Sequence, residues 1–271
     1  MRRLIAIGFL ICLYACNRDK RTQQAADAAT VTVTTGTDSS SYTYDSVKVY
    51  GSPKLSTNKL ITDTAKSVIV YPVFSNQVVN KFFEDRVISS AGQQGVYKTY
   101  KELATGFIKE FDIYKSANKE SDQTWFQDID LSVKANYPNY LSVLYTYVEF
   151  KSGAHPNTLF TYINYNPKTY QTITLDSLIT ADGMPKLRAV AEQIFRKNEK
   201  LSPAASLSDG YFFAEGVFSL AETFTVTKEG LKFLYNPSEI KPYAAGNTDL
   251  IIPFPAIKDI LKPSSILVNF K

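Results

Sequence analysis

The chain has 271 residues, and its 30 Lys and Arg against 26 Asp and Glu leave a formal charge of only +4. Without a long basic block, that balance gives no footing for nucleic acid. One His and two Cys leave too few of the usual ligands for a transition-metal site, so neither a metal nor another cofactor is expected. The 18 Tyr and 17 Phe favour half-buried pleated surfaces, and the length allows one or two apolar cores.

Residues 1–15 read as a secretory signal peptide. Arg2 and Arg3 form a positive start, Leu4 to Leu13 an uncharged apolar stretch too short to span a bilayer, and Ala15 a small residue before Cys16. A cysteine at that point resembles the lipobox of bacterial lipoproteins, in which the thiol is acylated and becomes the new N-terminus. Processing there would remove Cys12, Arg2 and Arg3. It would leave Cys16 as the only thiol, consumed by lipid, and no disulfide within the chain. The expected partner is therefore a membrane, held through several acyl chains on Cys16. Asn17 rather than Asp after it favours the outer membrane if the host is Gram-negative. Residues 16–41, rich in Thr, Ser, Ala and Gln, read as a flexible tether. About 25 residues of such coil reach roughly 25–30 Å.

A first strand is expected over 42–51, followed by a β-rich run over 67–74 in which Pro72 marks an edge or a bulge. Val79, Phe82, Phe83 and Val87 predict an amphipathic helix over 76–90, and Leu103, Phe107, Ile108 and Phe111 another over 97–115. The period then changes to two over 129–133, 140–151 and 158–165. Turn residues at 165–170 lead into 172–175, which completes an antiparallel meander. Asp182, Gly183 and Pro185 open a helix over 187–200 with Val190, Ile194 and Phe195 inward. Short strands near 221–226, 231–235 and 249–253 and a turn of helix over 255–261 close the chain. This is an α+β chain of two subdomains, 42–160 and 161–271.

Three stretches carry a resemblance. They are Tyr147-Val-Glu-Phe-Lys-Ser-Gly-Ala-His-Pro-Asn157, Asn164-Tyr-Asn-Pro-Lys-Thr-Tyr-Gln-Thr-Ile-Thr-Leu-Asp-Ser-Leu178 and Phe224-Thr-Val-Thr-Lys-Glu-Gly-Leu-Lys-Phe-Leu-Tyr-Asn-Pro-Ser-Glu-Ile-Lys-Pro-Tyr-Ala-Ala-Gly246. Together they resemble the paired extracytoplasmic domain of RsiV-type anti-sigma factors and the non-catalytic part of PdaC-type peptidoglycan deacetylases, over about residue 68 to the C-terminus. The resemblance implies two successive α+β units. In RsiV-type proteins this region binds lysozyme and starts signalling; in PdaC-type proteins it accompanies a deacetylase domain. Neither a sigma-binding segment and membrane-spanning helix nor the His and Asp metal motifs of that enzyme are read in this chain. The expectation is a non-catalytic binding module, with lysozyme or a peptidoglycan fragment as partner. The alternatives are an envelope glycan hydrolase with unidentified carboxylates, or a scaffold in an envelope complex.

Ser152, Gly153, His155 and Asn157 lie in a polar loop between two predicted strands and are candidate binding residues, with the other possibility a structural turn that Gly153 permits. A Ser152 nucleophile activated by His155 lacks the G-x-S-x-G elbow and an orienting acid. Asp128 and Asp130 share one face of a predicted strand and could serve acid–base work on glycans. Ser132 and Lys134 continue that face, so a solvated sheet surface is the favoured reading. Trp125 is a candidate sugar-stacking residue. Residues 237–246, with two prolines and a closing glycine, read as a rigid connection and not as a phosphate cradle.

Overall fold

The computed structural model describes residues 40–52, 54–55, 62–91, 96–121, 123–263, 265–268 and 270. The expected signal peptide, Cys16 and all of the expected tether except residues 40 and 41 lie outside them. Those two are already tied down: Asn136 Nδ2 donates to the Ser40 carbonyl at 2.9 Å, and Ser75 N–H to that of Ser41 at 3.2 Å.

The elements in chain order are β1 (Tyr42–Tyr50), β2 (Lys54–Leu55), β3 (Thr62–Asp63), β4 (Lys66–Phe74), α1 (Gln77–Ser90), α2 (Tyr100–Ala117), β5 (Phe126–Tyr137), β6 (Tyr140–Phe150), β7 (Asn157–Asn166) and β8 (Gln171–Thr172). Then come α3 (Met184–Asn198), β9 (Thr223–Val226), β10 (Gly230–Tyr235), β11 (Thr248–Pro253), α4 (Phe254–Ile257) and α5 (Ser265–Val268). The α+β class expected from the sequence is what forms. Six strands make one sheet in the order β1-β4-β5-β6-β7-β8, and three make a second in the order β11-β10-β9. The meander β5 to β8 is antiparallel throughout. Among the described residues only β4 and β5 run parallel, because α1 and α2 form the crossover between them. Pro72 does not mark an edge strand, since β4 is flanked by β1 and β5. It lies beyond residues 66–70, where β4 pairs with β5, so its missing N–H breaks no ladder on that side. The expected change of subdomain at residue 160 falls inside β7, which stays in the first sheet.

The helices start where their caps place them. Asn76 accepts the Val78 N–H at 2.9 Å, and Thr99 accepts that of Glu102 at 3.1 Å while Glu102 accepts that of Lys98. Alternation along β5 sends Ile129 and Leu131 into the core with Val143 and Tyr145 of β6. Val79, Phe83 and Val87 of α1 and Leu103 of α2 close over them. The second core gathers Leu187, Ala191 and Phe195 from α3 against Phe224, Val226, Leu231, Phe233, Leu250 and Ile252 of the small sheet. Val190 and Ile194, expected to face inward, are only half-buried. Gly230 opens β10 at φ 155°, where an added Cβ would stand 2.0 Å from the Ile252 carbonyl oxygen, so the close approach of β10 to β11 requires glycine there.

Burial, reinforced by nearby acidic groups, raises the hydroxyls of Tyr100, Tyr145, Tyr147 and Tyr235 far above the usual phenol range. The folded chain therefore holds these protons more tightly than the unfolded chain. Their contribution to stability is complete below the ordinary phenol value of 10.0 and is lost as pH rises above it. In an alkaline titration followed by phenolate absorbance, these tyrosines are expected to ionise together with the loss of the fold; gradual ionisation of a still-folded chain would contradict the burial described.

Candidate functional site

The two sheets meet through a buried polar seam. Tyr140, fully buried at 0 % exposure, donates its hydroxyl to Asn164 Oδ1 at 2.7 Å and accepts the Val226 N–H at 2.8 Å. Its oxygen also lies 3.0 Å from Thr225 Oγ1, which in turn lies 2.7 Å from Ser142 Oγ. Asn164 completes the set by donating Nδ2 to the Phe224 carbonyl at 2.7 Å. Burial pushes the Tyr140 hydroxyl up, and the contacts with Thr225, Val226 N–H and Ser142 work the other way. Ser142, Asn164 and Thr225 are among the few buried polar residues of the described chain, and all three are spent on this junction.

Further along, side chains of the second unit occupy the outer edge of β7. Asn236 accepts the Phe160 N–H at 2.6 Å and returns its Nδ2 to the Phe160 carbonyl at 3.1 Å, as a neighbouring strand would. Thr223 Oγ1 accepts the Tyr162 N–H at 2.6 Å. These side chains hold β9 away from β7 by their own length, and a groove of about 760 Å³ opens beside the junction. Its walls include Arg86 from α1, Thr161 and Tyr162 from β7, Thr172 and Thr174 after the 165–170 turn, Ser219 and Glu222 before β9, and Asn236 and Glu239 after β10. It is lined by both units, and its volume lies in the range of small-ligand sites.

The loop singled out from the sequence lies on the surface. Ser152, Gly153, His155 and Asn157 are all exposed, and Gly153 takes φ 106° with open space around it. His155 stacks on Tyr243 with ring centres 3.9 Å apart and 10° between planes, and Tyr243 Oη lies 3.1 Å from Thr158 Oγ1. His155 Nδ1 is 3.1 Å from the Pro156 carbonyl, a contact in which the nitrogen carries the hydrogen. Two of the stretches that carried the resemblance are thus brought face to face. Ser152 has no hydrogen bond to His155 among the described residues, so the nucleophile–base pair does not form.

Trp125 is turned inward, at 9 % exposure, against Phe107, Phe111 and Tyr114, which leaves no open face for a sugar. It lies inside because residue 125 precedes β5 at the level where the Phe107 and Phe111 face of α2 closes over the sheet. Lys151 Nζ lies 5.5 Å from its ring centre and pairs with Glu110 at 3.0 Å and Glu149 at 3.5 Å. Burial works against the Lys151 ammonium, but the hydrogen bond to Glu110 and the charges of Glu149 and Glu110 outweigh it and raise its pKa. Asp128 and Asp130 do share a half-exposed face. Asp128 pairs with Lys66 at 2.9 Å and Asp130 accepts from Ser132 at 3.0 Å, a solvated sheet surface held by local partners. Arg86, Glu222 and Asn236 were not singled out from the sequence. Only Asn236 had a signal, as the residue that follows β10 and precedes a proline.

Two family models match in succession. One described as Deacetylase PdaC matches residues 59–158, and one described as Protein of unknown function (DUF3298) matches residues 176–255. The two matches in succession agree with the paired PdaC and DUF3298 domain that the sequence resembles, and the β7 junction lies between them. A crystal structure of a DUF3298 family member from Bacteroides fragilis superposes with a TM-score of 0.69 at 22 % identity, covering 86 % of this chain and 99 % of that one. A DUF3298 family protein from Pseudomonas aeruginosa gives 0.65 at 14 % identity, covering 82 % and 94 %. Both establish likeness of fold. The immunogenic proteins MPB64 of Mycobacterium bovis and MPT64 of Mycobacterium tuberculosis are 28 % identical over 115 residues, which is 40 % of this chain and 46 % of theirs. The chain thus spans less than half the length of these curated relatives.

Two substitutions test the junction. Tyr140→Phe takes away the partners of Asn164 Oδ1 and Val226 N–H, and should lower stability to urea by about 1–3 kcal/mol. Asn236→Leu keeps similar bulk but leaves Phe160 without its strand substitute. Hydrogen exchange at the Phe160 amide should then speed up while that at Leu131 in the core stays unchanged.

Proposed function

We propose that this chain is a lipid-anchored binding module of the bacterial envelope. Residues 1–15 export it, lipid on Cys16 holds it, and the outer membrane is its site in a Gram-negative host. Its folded part binds a cell-wall glycan or a protein that acts on the wall, such as a lysozyme, without chemistry. The observation that carries the reading is the groove. It lies at the seam between the PdaC and DUF3298 domains, draws its walls from both, and offers hydroxyls without a nucleophile paired to a base. The pairing of domains found in an envelope-associated family supports the location.

A second reading, an envelope glycan hydrolase, has one observation in its favour: Glu222 and Glu239 line the same groove. Glu239 already accepts the Asn236 N–H at 2.7 Å, which ties it to the turn that places Asn236. Release of soluble sugars from peptidoglycan, abolished in Glu222→Gln, would establish the hydrolase.

Calorimetry and pull-down with the full chain against peptidoglycan fragments and lysozymes test the binding reading. Saturable binding weakened by filling the groove through Thr161→Trp is the expected result. Absence of heat and capture with every one of these probes overturns it.

A further inference from the structure

The groove carries more than shape. Along the β7 edge several backbone groups are already engaged: both of Phe160 by Asn236, the Tyr162 N–H by Thr223, and the Asn164 carbonyl by the Ile173 N–H at 2.9 Å. A ligand entering as an added strand would have to displace these contacts. One that leaves them in place must be held by the side chains of the walls, and these are left over in a particular way. Among the described residues, Arg86 makes no ion pair, and Glu222 makes neither an ion pair nor a hydrogen bond. The hydroxyls of Thr161, Thr172, Thr174 and Ser219, which line the same space, likewise hold no hydrogen bond to another described residue. Arg86 stands on α1, in the first domain, and Glu222 just before β9, in the second. They line one cavity without meeting as an ion pair, so a free cation and a free anion stand apart across the seam.

The geometry points to a ligand that is itself zwitterionic: a short peptide, free or carried on a wall glycan, with a carboxylate for Arg86, an amine for Glu222, and amide or hydroxyl groups between them. A guanidinium offers two parallel N–H donors that match a carboxylate in geometry and charge, whereas the hydroxyls of a neutral sugar accept them without the opposite charge. Spanning the two charges would also fasten the domains across their junction. The inference rests on the reading of the groove as a binding site and names its ligand class.

The test is calorimetry on the full chain with three probes: a disaccharide bearing a tetrapeptide with free carboxylate and amine, the same tetrapeptide alone, and chitotetraose in its neutral, fully N-acetylated form. The peptide-bearing disaccharide should bind about tenfold or more tightly than chitotetraose, because charge-assisted hydrogen bonds are the stronger class. Arg86→Gln and Glu222→Gln should each remove about tenfold of that affinity while melting as the wild type does, both residues being exposed. Comparable binding by the free tetrapeptide supports the same ligand class and shows that the peptide supplies the recognition. Equal binding of chitotetraose with a silent Arg86→Gln overturns the zwitterionic ligand and leaves the glycan-binding groove standing. Binding of lysozyme alone, with all three probes inert, overturns it as well.

Discussion

The fold depends on how a sheet edge is closed without a strand. An edge with free N–H and C=O groups invites pairing with any extended segment, and a strand of the second domain would be the nearest available. Here the second domain reaches the edge of β7 with side chains instead. Asn236 takes both backbone groups of Phe160, and Thr223 takes the Tyr162 N–H. Because a side chain is longer than a backbone hydrogen bond, the small sheet is held at a distance from the large one. The groove follows from that distance. Had β9 joined β7 by its backbone, the two sheets would have merged and the space would have closed.

The Tyr140 seam fixes the angle and register of the same contact. An apolar interface would tolerate sliding, but Tyr140, Asn164, Ser142 and Thr225 satisfy one another in only one arrangement. A buried polar group left without its partner costs far more than a made hydrogen bond contributes, so displacement by a residue is strongly opposed. Separate apolar cores, two of them in the first domain, supply the bulk of the stability on either side, and the seam makes them one molecule. The His155–Tyr243 stack and the Tyr243–Thr158 contact bring the loops together beyond the far end of that seam.

Much of this was legible in the residues themselves. Period-two alternation located β5 to β7, and the spacing of Val79, Phe83 and Val87 located the buried stripe of α1. The family likeness anticipated the two units in order. The site was less legible. Trp125 and the His155 loop carried the residue types that recognition usually employs. Yet one is buried by the face of α2 and the other is a stacked surface contact. Arg86 sits on the polar face of an ordinary helix, and Glu222 in a connection with no periodicity. Nothing in either local sequence announces that they share a cavity.

The sequence by itself determined the element types, the faces they bury, the composition that disfavours metal and nucleic acid, and the expectation of export and lipid attachment. Each of these depends on neighbours within a few positions: a period, a cap, a charge balance, a cysteine after an apolar run. Only the tertiary structure decided that β4 and β5 run parallel, that Asn236 stands in for a strand, and that a cation of one domain and an anion of the other line one groove. Those facts join residues 60 to more than 130 positions apart, and chain-local physics holds no information about which of many compatible side chains will meet across a junction.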